Sequence, residues 1–313
     1  MGAPGPSAGP CSAYPSTQMS QMAGTAQVLK AIDTRPNVRY PVLVPNKRGL
    51  DDVFALLDQH PSDPPLTDEI SVFTAATDAF TRANLNITIA ESLNKLEPVA
   101  RAALDRGLRV RGYISVVIAC PYSGRVEPDK VRDVAKALVE MGCYEISLGD
   151  TVGQGTPDQV SELIDEVQKS VSIKKLAVSG TGPCKAQTLM QTSRGMYVTS
   201  VVTLNPELML EQFHDTYGMA VANVLRALSH GIRTIDTSVG GLGGCPYSPG
   251  ATGNVATEDV LYALKDSPYR VVGSRGGTVD LKEMVEIGWW ISEALGRASE
   301  SRTGRAIRAR RVA

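Results

Sequence analysis

One alternation constrains this chain more than any other feature. Six short runs rich in β-branched residues are separated by stretches whose apolar residues fall three and four apart. The runs are 40–45 (YPVLVP), 69–76 (EISVFTAA), 109–119 (RVRGYISVVIA), 145–151 (EISLGDT), 174–178 (KKLAV) and 234–239 (TIDTSV). The spacing predicts helices over 49–60, 88–107, 128–142, 156–170 and 218–231. Strands alternating with helices of this length predict parallel βαβ units. Helix starts are marked by Thr88 with Glu91 and by Thr156 with Pro157 and Gln159. Gly107, Gly142 and Gly231 mark helix ends, and Pro98 predicts a kink inside its helix. A last helix, about 280–298, carries Trp289 and Trp290. The arginines beyond it (Arg302, Arg305, Arg308, Arg310, Arg311) read as a solvated basic tail over 299–313.

Six strands suit either an open doubly wound sheet or most of an eight-stranded barrel. The polar residues favour the barrel. Thr77 and Asp78, Cys120, Asp150 with Thr151, and the segment from Ser238 to Cys245 all follow the C-terminal ends of strands, the rim where barrels collect their chemistry. An open sheet would instead place a glycine-rich phosphate turn after its first strand, and none is there. The expected fold class is therefore α/β, a TIM (β/α)8-type barrel occupying 25–298. The Gly-, Pro- and Ser-rich residues 1–24 read as irregular.

Composition mainly excludes. A net charge of -1 over 313 residues gives no general attraction to nucleic acid or anionic membranes. No apolar run approaches the roughly 20 residues needed to span a bilayer. The first residues show neither a secretory signal nor an Arg-rich transit pattern. Five cysteines without a CxxC spacing argue against a disulfide framework and for a reducing compartment.

Three segments hold the chemistry-bearing residues. In 213–231, His214 and Asp215 sit at a strand-to-helix junction, an arrangement that suits a metal ligand beside an orienting carboxylate and equally suits a helix start. In 239–259, four glycines precede Cys245, and Asn254 lies in a second glycine-flanked turn; the other reading is a flexible loop with a spare thiol. In 145–151, Asp150 and Thr151 close a strand, where an acid can move protons or cap a helix.

Together these stretches resemble the 3-hydroxy-3-methylglutaryl-CoA lyase family. The resemblance lies in GMAVANVLRAL (218–228), GLGGCPY (241–247), GATGNVATED (250–259), GCYEISLGDT (142–151), RGYISVVIACPY (111–122), YPVLVPN (40–46) and, more loosely, QMAGTAQVLKAI (21–32). It covers about 16–178 and 212–298, with GLGGCPY its most specific part. It implies a (β/α)8 barrel that cleaves 3-hydroxy-3-methylglutaryl-CoA, a CoA thioester, to acetyl-CoA and acetoacetate in leucine breakdown and ketone-body formation. It further implies a divalent cation, Mg²⁺ or Mn²⁺, held by His214 and Asn254. Cys245 becomes the acid that protonates the acetyl-CoA enolate, on a loop that closes over substrate, and Asp150 a second active-site acid. Asn84, Arg111, Tyr113 and Thr151 fall on the substrate side. The family is often homodimeric and usually in the mitochondrial matrix; lacking a transit peptide, this chain would otherwise be cytoplasmic.

Two departures temper the resemblance. The family has two strands ahead of the segment matching 21–32, the first ending in Arg-Asp-Gly and supplying an arginine and a metal-binding aspartate, the second a glutamate; nothing here matches them. It also runs directly from the strand at 174–178 into His-x-His-Asp. In this chain residues 179–212 intervene, with no clean period, and Gln212 stands at the first histidine's place. Residues 179–212 therefore read as an atypical insertion, such as a translated intron. The chain is expected to be an incomplete barrel with exposed edges and little turnover. The rival readings are a related barrel synthase that runs a Claisen condensation and a non-catalytic variant.

Overall fold

The computed structural model describes residues 24–32, 38–179, 214–243, 253–271 and 278–312, with the backbone of three short strands between 190 and 203. The order is α1 (Thr25–Ala31), β1 (Val42–Leu43), α2 (Lys47–Gln59), β2 (Glu69–Ala75), α3 (Asp78–Leu85), α4 (Ile89–Asp105), β3 (Arg109–Ser115), β4 (Ala119–Cys120) and β5 (Gly124–Arg125). There follow α5 (Pro128–Glu140), β6 (Glu145–Gly149), α6 (Pro157–Val167), β7 (Leu176–Ser179), β8 (Met190–Thr192), β9 (Gly195–Tyr197) and β10 (Val201–Thr203). The chain continues with α7 (Ala220–Ser229), β11 (Thr234–Asp236), α8 (Thr257–Ala263), α9 (Leu281–Ala294) and α10 (Arg302–Val312).

All six expected strands form. They line up β1-β2-β3-β6-β7-β11, each pair parallel. Period-two alternation divides each strand between two environments. Ile70, Val72, Val110, Ile114, Ile146 and Leu148 are buried on one face. The helices cover that face: a Cβ added at Gly112 would lie 3.0 Å from Ile146 and 3.2 Å from Leu138 of α5. The other face carries Glu69, Ser71, Arg111, Ser115, Glu145, Ser147 and Asp236, also buried.

This polar face is concave. Arg111 on β3 and Asp236 on β11 are three strands apart in the order, about 14 Å on a flat sheet at ~4.8 Å per strand. Side chains stand roughly perpendicular to a sheet. Yet Arg111 Nη2 donates to Asp236 Oδ1 at 3.0 Å, so the strands must curl round a shared interior. The fold is the TIM-barrel α/β class.

Local signals account for the helix boundaries. Thr88 and Thr156 both close capping boxes, with Glu91 and Gln159. Gly107, Gly142 and Gly231 take positive φ of 80°, 100° and 100° at helix ends. α4 runs through Pro98 as one helix of 17 residues. α2 starts at Lys47, two residues before the expected 49, because the Asn46 side chain accepts from Gly49 N.

Two regions differ from expectation. Within 179–212, β8 and β9 pair antiparallel with each other, and β10 pairs antiparallel with β11 along the sheet's edge. The basic tail keeps Arg302, Arg305 and Arg310 exposed, and it folds as helix α10. Its N-terminus is capped from α8: Asp259 accepts from Ser301 Oγ, Arg302 N and Thr303 N at 2.8, 3.1 and 2.8 Å. Arg308 lies 4.1 Å over the Trp289 ring and pairs with Glu293 at 2.6 Å. Among the described residues, no helix is long and apolar enough to cross a membrane.

Candidate metal centre

His214 and Asn254 come from segments far apart in sequence and face each other as an isolated antiparallel bridge. Asp215 N donates to Gly253 O at 3.1 Å and holds the two segments in register. Both side chains are buried, at 1% and 6% exposure. Among the described residues, His214 Nδ1 and Asn254 Oδ1 have no hydrogen-bond partner. Asn254 spends its amide nitrogen on Leu242 O at 2.8 Å, which leaves the carbonyl oxygen as its unused group.

A buried polar atom without a partner costs about 1–3 kcal/mol. Two of them brought together call for a ligand that supplies what the protein does not. Burial pushes His214 down to about 4, so its ring is neutral at pH 7 and keeps a lone pair. A neutral imidazole nitrogen beside an amide oxygen is a donor set for a divalent cation. These residues fit such an ion. Among the described residues no cluster of three or more His, Cys, Asp or Glu could hold a metal.

The turn beneath His214 explains why its sequence is glycine-rich. A Cβ on Gly153, whose φ is +70°, would lie 2.7 Å from Thr216 Oγ1 and 2.9 Å from His214 O. A Cβ on Gly253, φ +121°, would lie 2.4 Å from Gly243 O. A larger residue at Gly153 would push that turn off His214, and one at Gly253 would push the Asn254 turn off Gly243.

Asp150 shapes that turn. It is fully buried; Oδ1 accepts from Gly153 N at 3.1 Å and Oδ2 from Gly155 N at 2.8 Å. Burial raises its pKa to about 6, against the pull of those backbone donors. Asn223 Nδ2 braces the same turn through Gly155 O at 2.8 Å. The sequence reading made Asp150 an active-site acid; here both its oxygens are engaged in holding the loop under His214. Thr151, expected on the substrate side, is buried too, and its hydroxyl accepts from Val116 N at 2.9 Å, tying the ends of β3 and β6 together.

Asp215 does not orient the neighbouring imidazole, as the sequence reading expected. Its Oδ1 accepts from Ala220 N at the start of α7 at 3.1 Å, and its Oδ2 pairs with Arg302. Arg302 is exposed, as a basic tail predicts, yet no local feature of the sequence points to its place beside the site.

Arg111 and Tyr113, the other residues expected on the substrate side, form a separate cluster inside the barrel. Arg111 donates to Glu145 at 2.7 Å, to Asp236 at 3.0 Å and to the Tyr113 hydroxyl. Ser147 Oγ donates to Asp236 at 3.3 Å, and Tyr144 donates to Glu69 at 2.9 Å. Burial opposes the charge on Arg111, but Asp236, Tyr113 and Glu145 around it raise its pKa well above the ordinary value. Burial pushes Glu145 up to about 7 and also raises Asp236 and Glu69.

Asn84 is half-buried on α3, which starts at the C-terminal end of β2. At the same end, Thr77 Oγ1 lies 3.2 Å from Cys120 Sγ. Cys245 and Gln212 lie outside the described residues.

The HMGL-like family model matches residues 18–181 and 187–290. The chain is 42% identical over 290 residues to the hydroxymethylglutaryl-CoA lyase of Pseudomonas mevalonii, covering 93% of this chain and 80% of that protein. It is 40% identical over 286 residues to the mitochondrial hydroxymethylglutaryl-CoA lyase of Bos taurus, covering 91% of this chain and 73% of that one. The crystal structure of hydroxymethylglutaryl-CoA lyase from Pseudomonas aeruginosa superposes with a TM-score of 0.74 at 39% identity, covering 93% of this chain and 81% of that one.

Proposed function

The chain belongs to the HMGL-like family, and on that premise we propose that it is a carbon–carbon lyase that cleaves 3-hydroxy-3-methylglutaryl-CoA to acetyl-CoA and acetoacetate, with a divalent cation at His214 and Asn254. The observation that supports this most is a pair of buried atoms without a partner among the described residues, His214 Nδ1 and Asn254 Oδ1, on residues joined by a backbone bridge.

The reaction removes a proton from a tertiary alcohol, breaks the adjacent C–C bond, and leaves its electrons on a thioester enolate that must then be protonated. A bound Mg²⁺ or Mn²⁺ supplies Lewis acidity, which makes an alcohol more acidic and orients oxygen ligands. His214, neutral through burial, offers its ring nitrogen, and Asn254, turned by its bond to Leu242, offers its carbonyl oxygen. Asp150 acts through the 153–155 turn as a positioning residue. Cys245, on sequence resemblance, supplies the proton to the enolate from Sγ. Arg111 and Tyr113, which the resemblance puts on the substrate side, are engaged with Glu145 and Asp236 inside the barrel and hold its lumen together.

Gln212 stands where the family places a histidine, so we expect turnover about 10²–10³ below that of the Pseudomonas mevalonii relative. Acetoacetate release from 3-hydroxy-3-methylglutaryl-CoA is the assay. The proposal predicts turnover that needs added Mg²⁺ or Mn²⁺, stops with EDTA, and is lost in Asn254→Ala. Cleavage indifferent to EDTA would remove the cation from the reaction. Condensation of acetyl-CoA with a 2-oxo acid, without cleavage, would move the chain to the synthase reading.

A further inference from the structure

We propose that Arg302 is a positioning residue for the candidate metal centre: from the first turn of α10 it clamps Asp215 and so holds the His214 turn in register with Asn254. The inference rests on reading His214 and Asn254 as the cation site.

Residues 300–303 reach three segments of the site at once. Glu300 N donates to Gly240 O at 3.0 Å, on the loop that follows β11. Ser301, Arg302 and Thr303 all bond to Asp259, on the helix that follows Asn254. The Arg302 guanidinium then reaches back to Asp215, the residue after His214. The fit is close, since a Cβ on Gly241 would lie 2.8 Å from the Cβ of Glu300.

Asp215 translates the clamp into the position of His214. Its backbone N is bonded to Gly253 O, its backbone O accepts from Gly218 N at 3.0 Å, and its side chain fixes the start of α7. Its carboxylate is 14% exposed, whereas Arg302 is 59% exposed. An ion pair with one exposed partner adds little to global stability. Its effect is geometric: without Arg302, Oδ2 of Asp215 loses the partner that stops the carboxylate from rotating, and the turn before α7 loosens. Outer partners of metal ligands typically change metal affinity 10–100-fold.

The test uses the full chain in two states. Without metal, hydrogen exchange of the amides of Asp215 and Gly218 should quicken about tenfold in Arg302→Gln and recover part of its protection in Arg302→Lys. With metal, Mn²⁺ binding followed by electron paramagnetic resonance should weaken about tenfold in Arg302→Gln. Arg308→Gln, which removes contacts of the same helix with Glu293 and Trp289 of α9, should leave both readings at the wild-type level. Wild-type exchange and affinity in Arg302→Gln would overturn the proposal, as would an equal loss in Arg308→Gln. Faster exchange in Arg302→Gln, with no Mn²⁺ binding even by the wild type, would overturn the cation site itself; the clamp would then be a purely structural tie.

Discussion

The barrel interior around Arg111 and the bridge between His214 and Asn254 are both polar and both buried, but their hydrogen bonding is opposite. Arg111 donates to two carboxylates and a phenol, and Asp236 accepts from Ser147 as well. At the bridge, an imidazole nitrogen and an amide oxygen are kept from water and given nothing in exchange. A satisfied cluster contributes to the fold, and losing a member damages it. An unsatisfied pair raises the energy of the fold, and its use lies in what it can bind. The contrast separates residues whose loss would be read in stability from residues whose loss would be read in ligand affinity.

The largest expected effect lies in the satisfied cluster. Arg111→Met leaves Glu145 and Asp236 buried without a counter-charge, and should destabilise by about 3–5 kcal/mol in urea unfolding at pH 8. The loss should shrink at pH 5, because Glu145, pushed up to about 7 by burial, is then protonated. A variant as stable as the wild type at pH 8 would erase the distinction between the two regions.

A second carboxylate sharpens it. Glu258 accepts from Gly240 N with both oxygens and is pushed up to about 7 by burial, from an ordinary 4.5. Between those values the folded protein holds a proton that the unfolded chain has lost, so stability falls as pH rises through the window. Glu258→Gln keeps the neutral form at every pH. Its stability advantage over wild type should grow from near zero at pH 5 to at most roughly 3 kcal/mol at pH 8. A flat difference across that range would show that Glu258 ionises without penalty.

The smallest effect on stability belongs to the unsatisfied pair. His214→Ala loses packing but also removes a stranded nitrogen, so metal-free stability should change by less than about 1 kcal/mol. Stabilisation by added Mn²⁺ in a thermal melt should vanish. A large loss of metal-free stability would mean that His214 serves the fold after all.

Much of the architecture was legible because its signals are local. The six runs became strands since both faces of this sheet are buried, which leaves short β-branched stretches between helices whose caps, such as Thr88 with Glu91, sit a few residues apart. α10 was not legible. Its arginines give it no apolar face, and the cap that starts it, Asp259, is 43 residues away from Arg302. The site shows the same division. His214 and Asn254 were picked out by family likeness, whereas their unpartnered atoms depend on how two distant turns meet. Spacing revealed that Asp150 and Thr151 end a strand, but not that the backbone around them takes up both side chains.

The Arg111 cluster also imposes an order on assembly. Glu145 is 34 residues from Arg111 in sequence and Asp236 is 125, so one acid arrives with the next strand of the sheet and the other only after a far longer loop has closed. Until β11 docks, the guanidinium lacks the Asp236 carboxylate, so we expect it to stay hydrated to that point. Desolvation of that lumen is expected late in refolding, and its rate should report when the two ends of the sheet meet.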